Sequence, residues 1–162
     1  DKVKLLSEEL MQNQYPKAYE YLRYKKNILD NRDKGNGNYE NWFAFGRTQS
    51  LEKIRNKMFF PKFSNQTPNF IINFEEDLLF YNGVALVGNT QEEMIIIKKI
   101  MESTVFWYYI KTTSKPYASG YYALDGNYVR NFGVCELNDK EKEFVLNENN
   151  QNELNKFFED KY

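Results

Sequence analysis

Between Phe106 and Phe132, nine aromatic side chains fall within 27 residues, interleaved with Lys111, Lys115 and Arg130 and punctuated by Pro116, Gly120 and Gly126. No other stretch constrains the fold as strongly. So much ring area in so short a segment must either be buried or be presented deliberately, and each choice commits the chain. A core needs apolar bulk, but it does not need repeated Tyr hydroxyls beside spaced cations and turn formers. One reading is therefore a Tyr-rich core with ordinary turns. The other is a surface where rings and cations together meet a polyanion carrying flat bases.

At 162 residues, one compact domain is expected, with about two-thirds of the unfolded surface buried. The mean hydropathy of -0.76 reflects abundant Asn, Lys and Glu, since 41% of residues are hydrophobic and 17% aromatic. No apolar run approaches the roughly 20 residues of a bilayer span, so no membrane partner is expected. The sequence opens on Asp1 without a signal-like pattern, which suggests a piece of a longer polypeptide or a processed start. With no His and one Cys, the chain cannot build Ser-His-Asp or Cys-His nucleophiles, His/Cys zinc sites or an internal disulfide. Cys135 reads as a small, partly buried filler in a reducing, cytoplasmic setting. No catalytic, cofactor-binding or metal-ligating residue is expected, and the chain reads as a binding module.

The net charge of -1 conceals a segregated pattern. Residues 20–62 carry +5, 63–97 carry -5, 98–130 carry +3 and 131–162 carry -4. Two basic stretches separated by acidic ones can assemble a positive face with a negative back, and local charge governs phosphate attraction. Solvated surface charge with no partner is the alternative.

Hydrophobic spacing predicts helices over Lys2–Asn13 and from Pro16 to about Asp30, then a polar loop around Gly35 and Gly37. A short strand is expected at Trp42–Phe45 and one or two helical turns at Gln49–Asn56. Strands are expected at Lys57–Phe60, Asn69–Phe74, Leu78–Tyr81 and Val84–Val87, with Asn82-Gly83 as a hairpin turn. Thr90 and Glu93 form a capping box ahead of an apolar helix at Met94–Met101. Ser103 or Thr104 caps a further helix to Lys111, with Phe106, Trp107 and Ile110 read as core. Short strands in a loop then reach Arg130, and two charged helices close the chain. The fold class is α+β, a small twisted, mostly antiparallel sheet flanked by helices, with residues 1–134 as one domain and 135–162 as a helical tail packing on or extending from it.

Four blocks carry a family resemblance: YPKAYEYLRYKKNILDNRDKG, ENWFAFGRTQSLEKIRNKMFFPKFS, NFIINFEEDLLFYNGVALVG and ESTVFWYYIKTTSKPYASGYYALDGNYVRNFGV. Over Tyr15–Val134 the sequence resembles the TaqI-like C-terminal specificity domain, the target-recognition domain of N6-adenine DNA methyltransferases in restriction-modification systems. The resemblance implies that double-stranded DNA is the partner, together with a methyltransferase catalytic domain in the same parent chain or a separate subunit. That parent would use S-adenosylmethionine, and Mg²⁺ if fused to a nuclease. No Asn-Pro-Pro-aromatic motif occurs here, so the methylating site would lie elsewhere.

On this reading Arg47 and Gln49 are base readers, because Arg offers paired donors to guanine and Gln matches adenine; Ser50 stands beside them. A salt bridge for Arg47 and a helix cap for Gln49 are the competing roles. Lys53, Arg55 and Lys57 are phosphate candidates, with Arg23, Lys25, Lys26, Arg32 and Lys34 as weaker ones. Lys115, Tyr117, Tyr121 and Tyr122 would form a loop along a groove, with Arg130 nearby. Six neutralised phosphates would give a log affinity against log salt slope of about -5. The alternatives are a protein-interaction scaffold, or a methyltransferase or nuclease fragment whose active site a neighbouring domain completes.

Overall fold

The computed structural model describes residues 4–46, 53–79 and 83–162. They divide into two compact units, residues 1–53 and 54–162.

The first unit is helical: α1 (Glu8–Gln14), α2 (Pro16–Tyr24) and α3 (Lys26–Asp30). None of these helices buries a residue, so polar and aromatic ties hold the unit together. The Glu8 carboxylate accepts from Tyr19 Oη at 2.9 Å and from Trp42 Nε1 at 3.0 Å. Arg32 donates to the carbonyls of Leu29, Ala44 and Trp42 at 2.8, 2.5 and 3.0 Å, and its guanidinium lies over the Tyr39 ring. These bonds correct two expectations. Trp42–Phe45 is a turn followed by irregular chain, because the Trp42 and Ala44 carbonyls are claimed by Arg32 rather than by a strand partner. The same bonds revise the reading of Arg32, a weaker phosphate candidate, which is a half-buried structural clamp with its donors committed to three carbonyls. The first helix starts later than expected because Ser7 caps it, its Oγ accepting from Leu10 N–H at 3.2 Å. The second helix breaks at Lys25, whose N–H bonds back to Tyr21 and Leu22 before the chain restarts as α3.

The second unit is α+β. Strand β1 (Lys57–Phe60) lies between β3 (Ile71–Asn73) and β4 (Val84–Val87), both antiparallel to it, while β2 (Phe63–Ser64) pairs with β5 (Tyr122–Ala123). Four longer helices follow the pattern of caps: α4 (Gln91–Met101), α5 (Thr104–Thr113), α7 (Asp139–Asn147) and α8 (Gln151–Lys161), with the short α6 (Gly126–Arg130) between α5 and α7. Thr90 Oγ1 accepts from Glu93 N–H at 3.1 Å, but Glu93 reaches back to Asn89 N–H rather than to Thr90. Ser103, not Thr104, caps α5, and its buried hydroxyl also donates to Ile100 O at 2.6 Å.

Two clusters make the core. Met58 and Phe60 of β1, Phe70, Met94, Met101, Phe106, Ile110 and Leu124 pack the sheet against α4 and α5. Ile100, Val145, Leu154 and Phe158 bind α7 and α8 to the other side of α4. Each such fully buried side chain contributes about 1.5–3 kcal/mol relative to exposure. Tyr162 stacks on Phe132 with centroids 5.4 Å apart, and burial pushes its phenol up to about 12.

Three further expectations change. Val84–Val87 pairs with β1, in the register Met58↔Leu86, and Leu78 and Leu79 are irregular and not strand, while Phe80, Tyr81 and Asn82 lie outside the described residues. Residues 53–56 are not helical, and the rest of Gln49–Asn56 lies outside the described residues. Gly126–Arg130 is a helical turn because Asp125 Oδ1 accepts from Asn127 N–H at 3.2 Å.

The period-two alternation of β1 decides the role of Lys57. Met58 and Phe60 enter the core, which turns Lys57 to the opposite face, where it is 4% exposed. Its ammonium donates to the carbonyls of Leu78 and Glu76. Lys57 therefore tethers the β3–β4 connection and is not a phosphate contact.

Two outcomes are expected. Lys57→Met leaves these carbonyls without their donor and lowers stability by about 2 kcal/mol, read as a drop in the urea midpoint. An unchanged midpoint would remove the tether from the account. In the first unit, the bonds from Trp42 and Tyr19 hold the Glu8 carboxyl below its ordinary value. Its stabilising effect is thus complete above the ordinary carboxylate range and is lost as pH falls through the lowered value. Acid titration of Trp42 emission should show this step, and Glu8→Gln should abolish it.

Candidate nucleic-acid interface

The aromatic segment divides its rings between core and surface. Helix α5 ends where Ser114 turns extended, with φ -91° and ψ 166°, and Pro116 holds the chain in that course. Lys115–Tyr117 then runs antiparallel to Tyr121–Ala123. Tyr117 N–H donates to Tyr121 O at 2.7 Å and Ala123 N–H to Lys115 O at 3.2 Å. The reversal at Ala118–Gly120 needs two left-handed residues, Ser119 at φ 62° and Gly120 at φ 73°. On its far side, β5 pairs with β2 in the register Phe63↔Ala123 and Ser64↔Tyr122, and Leu124 N–H donates to Lys62 O at 2.7 Å. Three chain segments thus meet, with Tyr122–Ala123 in the middle.

The root of this hairpin is fixed. Ala123 and Leu124 are buried, and the Tyr122 ring turns inward, edge-on to Trp107 of α5 at 5.7 Å. Its outer part is open. Phe63 and Tyr117 meet edge-to-face at 4.7 Å while remaining 44% and 45% exposed. The Lys115 ammonium lies over the Tyr117 ring, 5.4 Å from its centroid. Tyr121 is exposed as well. Lys62 and Lys111 are exposed and have no ion-pair partner among the described residues. Exposed rings beside unneutralised ammonium groups present an apolar edge and a positive field to the same neighbour, which suits a phosphate chain bearing flat bases.

Of the residues expected at the site, Lys115, Tyr117, Tyr121 and Tyr122 come together here, although Tyr122 supports the hairpin from within. Arg55 stands before β1, largely exposed, with Glu76 at 3.8 Å. Arg130 ends α6, exposed, with its guanidinium lying back beside Gly126. Lys53 is exposed and belongs to the first unit. Arg47, Gln49 and Ser50 lie outside the described residues. Of the weaker candidates, Lys26 is paired with Asp30 at 2.7 Å and Lys25 lies over the Tyr24 ring.

Sequence reading missed Lys62 and Phe63. Their signal was Pro61 on one side and Pro68 on the other, which isolate a short segment between two longer strands, but a two-residue strand leaves no periodicity to detect. Among the described residues, no group of three or more Cys, Asp or Glu is placed to hold a metal ion, and no helix is long and apolar enough to cross a membrane.

The hairpin turn is testable by itself. Gly120→Ala places a Cβ at φ 73°, where the steric cost is about 1–2 kcal/mol, with open space around it. Faster exchange of the Tyr117 amide, with the core amides unchanged, is the expected result.

No known protein family matches the sequence, and no curated protein matches it.

Proposed function

We propose that this chain is a double-stranded DNA recognition domain without chemistry of its own, serving as the specificity part of a restriction-modification adenine-N6 DNA methyltransferase. The methyl donor, S-adenosylmethionine, would bind a catalytic domain elsewhere in the parent protein, which would act in the cytoplasm. The observation that supports this reading best is the hairpin surface, where Lys115, Tyr117, Phe63 and Tyr121 are exposed together on a fixed root. In this arrangement the lysines of the second unit hold phosphates and set position. Base choice would then fall to Arg47 and Gln49, whose donors and acceptors match guanine and adenine.

Burial of Lys57 revises the electrostatic expectation downwards. Lys62, Lys111 and Lys115 are the exposed lysines along the hairpin and α5, and three phosphate contacts give a log affinity against log salt slope of roughly -3. Fluorescence anisotropy of a labelled duplex across a salt series measures it. Lys115→Gln and Lys62→Gln should each reduce the slope by about one, whereas Lys57→Met should leave it unchanged in folded protein. Absent or salt-insensitive duplex binding would sink the proposal. It would favour a protein-interaction role instead, for which the exposed row Tyr21, Tyr24 and Ile28 is the relevant feature. Methyl transfer from S-adenosylmethionine by the chain alone would favour the methyltransferase-fragment reading.

A further inference from the structure

A cleft of about 540 Å³ opens between the outer face of α5 and the end of α8, within the range of small-ligand sites. Its walls include Trp107, Tyr108, Lys111, Thr104, Glu159 and Tyr162. We propose that this cleft receives a single unstacked nucleotide, with its base against Tyr108 and Trp107 and its phosphate on Lys111. The inference rests on the nucleic-acid reading above and names a second contact for the same ligand class.

Four observations carry it. Tyr108 is 66% exposed although it sits in the middle of a core helix, so its ring offers an open face to a ligand. Lys111 follows it at the i+3 position, on the same side of α5, and is exposed without an ion-pair partner among the described residues. Glu159 is held in place by Thr104 Oγ1 at 2.6 Å, while Thr104 N–H donates to Asn155 Oδ1 at 3.1 Å, so α8 is fixed against the start of α5. Tyr162 is fixed by stacking on Phe132. The cleft is thus preformed, with ring faces, one cation and one anchored carboxylate.

That set of groups selects chemistry. An ionised carboxylate only accepts hydrogen bonds, so Glu159 favours a base with an exocyclic amino group over thymine. A cation within reach of a ring face suits a ligand that joins a flat heterocycle to an anion. Trp107 borders the cleft and also meets Tyr122 at the root of the hairpin, so the two features share one ring.

The test titrates the whole chain with deoxyadenosine monophosphate, deoxyadenosine, thymidine monophosphate and inorganic phosphate, following the Trp107 indole N–H by NMR and the heat by calorimetry. The expected result is saturable, millimolar binding of deoxyadenosine monophosphate that shifts the Trp107 indole, with thymidine monophosphate weaker and inorganic phosphate ineffective. Tyr108→Ala should weaken binding roughly tenfold, and Lys111→Gln should reduce the nucleotide to the level of the nucleoside. Both side chains are exposed, so the dispersion of the core amide signals reports whether either variant is misfolded. No saturable shift, an equal shift with inorganic phosphate, or no effect of Tyr108→Ala would overturn the proposal. The Lys115→Gln variant separates this proposal from the duplex reading, because it should weaken duplex binding and leave the mononucleotide titration unchanged. Duplex binding that persists without any mononucleotide response would remove the cleft alone. A mononucleotide response without duplex binding would remove the duplex reading alone.

Discussion

The second unit depends on how α5 divides its circumference. Phe106 and Ile110, four residues apart, are both fully buried in the cluster that joins the helices to the sheet. Val105 packs towards the cluster of α7 and α8, and Trp107 meets Tyr122 beneath the hairpin. What is left, Tyr108 with Lys111, faces solvent. A helix with 3.6 residues per turn cannot send four consecutive aromatics to one side, so FWYY is necessarily shared among separate neighbours. That geometric necessity couples the core to the surface. The rings that stabilise the fold rigidly position the rings and cations that are free to meet a partner.

The aromatic segment therefore supplies both core and surface, from different residues. Phe106 is core by any measure, whereas Tyr117 and Tyr121 are exposed on a hairpin whose inner strand, β5, is bonded along both of its edges. An exposed ring usually costs order as well as apolar hydration. Here the β2–β5 pairing restrains the backbone in advance, so a ligand bound there would have less ordering to impose at the moment of contact.

Local signals were legible and non-local choices were not. Lys57–Phe60 and Val84–Val87 are strands at the expected bounds, since β-branched and aromatic runs between turn residues leave few alternatives. Caps at Thr90 and Ser103 were readable for the same reason, because each satisfies an N–H within three residues. The pairing of β4 with β1 was not legible, because a four-residue register and a shared core face between distant segments leave no local signal. Trp42–Phe45 looked like a strand from its apolar side chains, yet its course is set by Arg32, ten residues earlier in the chain than Trp42. Periodicity carries no record of such a clamp.

Charge shows the same limit more sharply. The sequence from Glu20 to Lys62 carries an excess of positive residues, but a formal charge attracts phosphate only where the group remains in water and unpaired. Arg32 spends its donors on three carbonyls, Lys26 faces Asp30, and Lys57 is enclosed by the β3–β4 connection. Lys57 is the buried one of these, and burying its charge without those carbonyls would be prohibitive, so its bonds are a condition of the fold and are not available to a ligand. The attractive field of the second unit then rests on a few lysines that flank aromatic rings. For a polyanion, a surface built this way would draw less affinity from counterion release and more from contact with the rings, and such contact is short-ranged and sensitive to the shape of what it touches.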